Sequence, residues 1–292
     1  MEDQAARLRR LVGRQKMQGI PLREEGGGAR VIAITSGKGG VGKTSLTVNL
    51  ALALQAEGVK TLIVDADLGM ANVGVLLGAS PRCSLLGLLE EDMNLQDVLL
   101  EGPFGLRYIS GGSGMEEARH LTESERGLLM GKLVGCGELA DVILVDTGAG
   151  LGDNVLDFIL AADETLLITT PEPTALTDAY AVMKAYSLRA AQKNMKLIVN
   201  RVLDAEEATE VATKLLKTAE RFLKMRVEAL GHIYDDRQVA RAVRRQRPLL
   251  VAYPSSAAAK CIRSIGTSLL HGKKVPVKRG WRTFLRYFLD FS

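Results

Sequence analysis

The stretch SGKGGVGKTS, residues 36–45, constrains this chain more than any other. Gly37, Gly42, Lys43 and Thr44 fit the spacing G-x-x-x-x-G-K-[ST], a loop whose glycines let the backbone curl until successive N–H groups point at phosphate oxygens. Such a loop works between a buried strand and the start of a helix, where the helix dipole adds to the field on the anion. Here VIAIT (31–35) precedes it and a helical stretch follows. The loop Gly37, Lys38, Gly39, Gly40, Val41, Gly42, Lys43, Thr44 and Ser45 is therefore expected to hold nucleotide phosphates. Lys43 would neutralise the terminal ones, and the Thr44 hydroxyl would ligate Mg2+.

The rest of the chain repeats the same grammar. Short apolar runs, TLIVDAD (61–67), LRYIS (106–110), DVILVD (141–146), TLLITT (165–170), KLIVN (196–200) and VEALGHI (227–233), alternate with helical stretches. Runs that are continuously apolar suit parallel strands buried on both faces, and the intervals are long enough for right-handed crossovers. The expectation is an α/β fold: one doubly wound, mainly parallel sheet of about seven or eight strands over residues 30–270, with ligands at the carboxyl ends of the strands. Outside it lie a helical segment (1–18), a Pro- and Gly-containing linker (19–29), a basic linker (271–280) and a terminal amphipathic helix (281–292).

Composition narrows the classes. The three cysteines (Cys83, Cys136, Cys261) and three histidines (His120, His232, His271) are scattered, without metal-ligand or catalytic-triad spacing. The chain opens on charged residues without an apolar leader, and no apolar run approaches the roughly 18 residues of a membrane span. A cytoplasmic setting is the expectation. Net charge is +4, but both ends are basic, leaving the body acidic.

A second lysine, Lys38, makes the loop K-G-G-x-G-K-T. This resembles the deviant Walker A motif of the MinD/ParA family. That resemblance implies an ATPase in which the early lysine reaches a partner's nucleotide, so that hydrolysis is activated by dimerisation. VDADLGMAN (64–72) and VDTGAG (145–150) support it on successive strand ends. By resemblance Asp67 orients or activates the attacking water, Asp65 and Asp146 belong to the Mg2+ shell, Gly148 lies near the γ-phosphate, and Asn200, with Arg201 beside it, is where the family reads adenine. The guanine signature NKxD is absent, so ATP and ADP are the expected nucleotides.

The appendages select a branch. Asp3, Gln4, Ala5, Leu8 and Arg9 match the D-Q-A-x-x-L-R opening of FlhG (also FleN or YlxH), and TTPEPTALTDAY (169–180) is similar to it as well. The resemblance implies control of flagellar number or placement, stimulation of the GTPase FlhF by the N-terminal helix, and flagellar basal-body or C-ring partners. At the other end, GWRTFLRYFLDFS holds the chain's one Trp among six Tyr and six Phe in all. Trp281, Phe284, Leu285, Phe288 and Leu289 share a helical face, with Arg282 and Arg286 at its side, the composition of an interfacial helix. One such helix binds anionic lipid weakly, and two on an ATP dimer gain avidity. The expected protein is an ATP-dependent homodimer, peripheral and reversible on the cytoplasmic face of the membrane. Aromatics on one face suit lipid better than a phosphate backbone, so no nucleic acid is expected. Division-site placement of the MinD kind and ParA-like DNA partition are the alternatives.

Overall fold

The computed structural model describes residues 28–67, 72–79, 85–90, 92–111, 122–190, 194–271 and 280–290. The expected N-terminal helix, with Asp3, Gln4, Ala5, Leu8 and Arg9, lies outside them. So do most of the two linkers and the side chains of Phe288 and Leu289.

Eight strands form one sheet: β1 Arg30–Ser36, β2 Thr61–Ala66, β3 Leu99–Glu101, β4 Arg107–Ser110, β5 Val142–Ala149, β6 Glu164–Thr169, β7 Met195–Val202 and β8 Glu228–Tyr234. Their order is β3-β4-β2-β5-β1-β6-β7-β8. Every pairing is parallel except that of β3 with β4. The sheet is thus the expected doubly wound one with an added antiparallel edge. That edge, Leu-Leu-Glu, is too short to register as an apolar run. It exists because Gly102–Gly105 folds back as a tight turn, with Phe104 and Gly105 at φ 58° and 71°.

Both faces of the sheet are covered, which explains the continuous apolar runs. Along β1, Val31 and Ala33 pack into one core and Ile32 and Ile34 into the other. Helices α1 (Lys43–Ala56) and α9 (Ala257–His271) cover the second face, as does α8 (Arg237–Arg244) through Ala242. The first face carries α3 (Glu123–Leu133), α4 (Cys136–Leu139), α5 (Asp153–Ala161), α6 (Pro173–Arg189) and α7 (Ala205–Leu223); α2 is the short Asn72–Leu76.

The last helix, α10 (Gly280–Asp290), joins the first face. Trp281, Phe284 and Leu285 are each 2% exposed. The Trp281 indole stacks on Phe284 at 5.3 Å between centroids, and Phe284 lies 6.1 Å from Phe158 of α5. Trp281 Nε1 donates to the Leu133 carbonyl at 2.6 Å, and Gly280 N to Asp163 Oδ1 at 3.2 Å. In this conformation Trp281, Phe284 and Leu285, expected to meet lipid, meet the protein instead. The groove between α3 and α5 offers Trp281 both an apolar wall and an acceptor for its N–H. Among the described residues no helix is long and apolar enough to cross a membrane.

Candidate nucleotide site

Because β2, β5 and β1 are adjacent and parallel, their carboxyl ends converge. Register places Asp65 opposite Asp146 and Asp146 opposite Ile34, just before the loop. Gly40 and Gly42 adopt φ 77° and 99°, the left-handed region that glycine enters without a steric cost. Gly37 is required by close approach: a Cβ there would lie 2.3 Å from the backbone of Asp178 in α6. Lys43 opens α1 and is buried, with Thr44 and Ser45 half-buried behind it.

Asp146 is fully buried. Its Oδ1 accepts from Thr47 Oγ1 at 2.9 Å, and its Oδ2 has no donor among the described residues. Burial pushes its pKa up to about 6 against the opposing pull of Lys43 and the hydroxyls of Thr44 and Thr47. A buried carboxylate oxygen without a donor, beside the Thr44 hydroxyl, suits a hard divalent cation. Mg2+ is typically held by one or two carboxylates together with substrate phosphates.

Asp65 plays a different part. Its Oδ1 accepts from the Asp67 N–H at 3.3 Å and its Oδ2 from the Val73 N–H at 3.0 Å. Burial, with the charge of Asp146, raises its pKa to about 7. Asp65 is thus tied to the backbone that carries Asp67 and α2. Asp67 itself is half-buried, accepts from Asn72 Nδ2 at 3.3 Å, and lies beside Gly148, where a Cβ would be 3.8 Å from Asp67 Oδ1.

Lys38 points along the surface to the start of α6. Its Nζ donates to Glu172 Oε2 and to Thr174 Oγ1, both at 2.9 Å. The bond and charge of Lys38 hold the Glu172 carboxyl below its usual pKa. The sequence reading gave Glu172, Thr174 and Thr47 no role. The signal for Glu172 was an acid at a strand exit immediately before a helix-starting Pro173; that for Thr47 was its place one helical turn after Lys43.

On the other side of the loop, Asn200 and Arg201 lie near the carboxyl end of β7, at an irregularity in its pairing with β8. Asn200 Nδ2 donates to the Val41 carbonyl at 2.7 Å, and Arg201 Nη2 to the Gly40 carbonyl at 2.9 Å. Beyond them opens a cavity of about 550 Å3, lined among others by Tyr234, Asp235, Val239 and Val243. Its size and place, reached from Gly42 and Ser45, suit a nucleoside attached to phosphates on the loop.

Comparison with known proteins agrees. A family model described as ParA, NUBPL iron-transfer P-loop NTPase, matches residues 28–270. The antiactivator FleN of Pseudomonas aeruginosa is 38% identical over 261 residues, covering 89% of this chain and 92% of that protein. The flagellum site-determining protein YlxH of Helicobacter pylori is 32% identical over 297 residues, covering 100% and 99%. Among solved structures, the cell-division ATPase MinD of Pyrococcus furiosus superposes with a TM-score of 0.66 at 27% identity, over 83% of this chain and 98% of that one. MinD of Pyrococcus horikoshii, solved with Mg-ADP, gives 0.63 at 28%, over 82% and 96%. The parallel sheet, the loop with two lysines and these likenesses together place the chain in the ParA family of P-loop NTPases, alongside FleN and YlxH.

Proposed function

We propose that this chain is a Mg2+-dependent ATPase that dimerises on ATP, associates reversibly with the membrane and controls flagellar number or placement. The observation that carries the enzymatic part is the convergence of Lys43, Thr44, Asp67 and Asp146 on one sheet edge around a glycine loop. The flagellar part rests on the likeness to FleN and YlxH, which runs through most or all of the chain.

The chemistry asked of these residues is mainly placement and charge. The loop N–H groups and Lys43 hold the β- and γ-phosphates. Asp67, fixed through Asn72 and through the Asp65 grip on its backbone, orients a water against the γ-phosphorus. Thr44 and Asp146 would hold Mg2+, which supplies neutralising charge on the phosphate oxygens. Lys38 lies on the surface rather than over its own loop, consistent with service to a partner's nucleotide. Its neighbours Glu172 and Thr174 give it a resting place in the single chain.

The C-terminal helix would be the output. Only the end of β5 and a short loop separate Asp146 from α5, which starts at Asp153 and carries Phe158 against Phe284. A shift of α5 on nucleotide binding would loosen the aromatic stack and expose the helix to lipid. The N-terminal segment, through Asp3, Gln4, Ala5, Leu8 and Arg9, would stimulate FlhF.

One observation favours a second reading, ParA-like binding of DNA. Arg237, Arg241 and Arg244 of α8, with Arg245 just past its end, are all exposed. Sedimentation with anionic liposomes in ATP and in ADP, beside a DNA shift assay at physiological salt, separates the two. ATP-dependent lipid binding that Arg282→Glu weakens supports the first. DNA binding without lipid binding would replace it with the second.

A further inference from the structure

A peptide unit is planar and trans, so a carbonyl and the following N–H point in opposite directions. Fixing the Gly40 carbonyl therefore aims the Val41 N–H, and fixing the Val41 carbonyl aims the Gly42 N–H. Both carbonyls are held, on the same side, by consecutive residues of one strand exit. Arg201 Nη2 takes Gly40 O and Asn200 Nδ2 takes Val41 O. The Asn200 amide is itself pinned, since its Oδ1 accepts from the Arg201 N–H at 2.9 Å.

Two features show that the arrangement is built rather than incidental. Arg201 sits at φ 59°, a left-handed backbone that a residue with a Cβ seldom adopts, and this turn lets both side chains face the loop. Gly42 combines a φ of 99° with close approach: a Cβ there would lie 2.5 Å from Asn200 Nδ2 and displace the amide. The loop's own glycines make it pliant, and a guanidinium bond to a carbonyl is charge-assisted.

We infer that Asn200 and Arg201 are positioning residues for the phosphate-binding loop, which by holding the Gly40 and Val41 carbonyls aim two N–H groups at the phosphates and so set how long a nucleotide is retained, whatever its base. The inference rests on the nucleotide-site reading above. It assigns Arg201 to the loop rather than to the adenine.

The test is dissociation of fluorescent ADP and GDP from the full chain by stopped flow. Arg201→Gly removes the guanidinium and accommodates the positive φ, so the fold is spared. It should release both nucleotides faster by the same factor, about tenfold, the loss of one charge-assisted bond. The melting temperature without nucleotide should not fall, and Arg201→Lys should recover part of the retention. Unchanged release in Arg201→Gly overturns the inference, and so does faster release of ADP alone, which would make Arg201 a base contact. If the unaltered chain retains neither nucleotide, the site reading falls first and this inference with it.

Discussion

Lys38 Nζ lies 2.9 Å from Glu172 Oε2 within one chain, at the rim of the phosphate loop but not over it. Both side chains are largely solvated, 39% and 55% exposed, and such a pair contributes at most about 1 kcal/mol to the fold. Lys38→Ala should therefore leave the melting temperature nearly unchanged. If Lys38 acts across a dimer, the same substitution should cut ATP turnover at least tenfold, about 1.4 kcal/mol of transition-state stabilisation. Turnover at the parental rate would remove the lysine from the mechanism.

The two buried carboxyls make stability fall as pH rises. Asp146 titrates near 6 and Asp65 near 7, both raised from 3.8 chiefly by burial. An acid with a raised native pKa binds its proton more tightly folded than unfolded. Its contribution is full below about pH 4 and is lost as pH rises through about 6 to 7. In chelator, without nucleotide, the protein should lose on the order of 4 kcal/mol between pH 5 and 8. Asp146→Asn keeps the Thr47 bond at Oδ1 and removes the charge. It should flatten that profile, stabilise the protein at pH 8, and abolish Mg2+-dependent turnover. Denaturant titration at the two pH values checks the first two points, and an ATPase assay the third.

What the sequence made legible here was local. A strand followed by glycines and a helix defines the loop, and an acid that closes an apolar run is visible without knowing the neighbour. That is why Lys43, Asp67 and Asp146 could be read from motifs. Glu172 and Thr174 could not, because Lys38 finds them across a sheet whose strand order only the folded chain reveals. Asn200 shows the same limit. Its place at a strand end was visible, but not that its amide grips Val41. The aromatic tail was legible as an amphipathic helix, yet its apolar face reads alike whether it faces lipid or a groove containing Phe158.

At the opposite, amino-terminal end of the strands, Glu164 is buried between two cations. It accepts from Arg30 and lies 2.8 Å from Lys196 Nζ, whose side chain is 6% exposed. Removing the carboxylate strands buried positive charge, which typically costs about 3–5 kcal/mol. Glu164→Ala should lower the unfolding free energy by that amount, read as a lower denaturant midpoint with little change in the slope, while Glu164→Gln, which keeps an acceptor, should cost less. A stability loss below about 1 kcal/mol would mean the cluster relaxes into solvent.

The docked helix offers a sharper test, because Trp281 is the chain's one tryptophan. It packs on Gly137, where an added Cβ would sit 3.3 Å from the indole Cδ1. Gly137→Val should therefore displace the helix by crowding, whereas Trp281→Ala removes it by leaving a void worth about 3–5 kcal/mol. If the helix is a releasable element, Gly137→Val should red-shift the tryptophan emission without unfolding the sheet and should sediment with anionic liposomes even without ATP. The parent should show the same shift only when ATP is added. Should Gly137→Val instead melt cooperatively at a much lower temperature with no lipid binding, the aromatic face is core, and the membrane signal must be sought elsewhere in the chain.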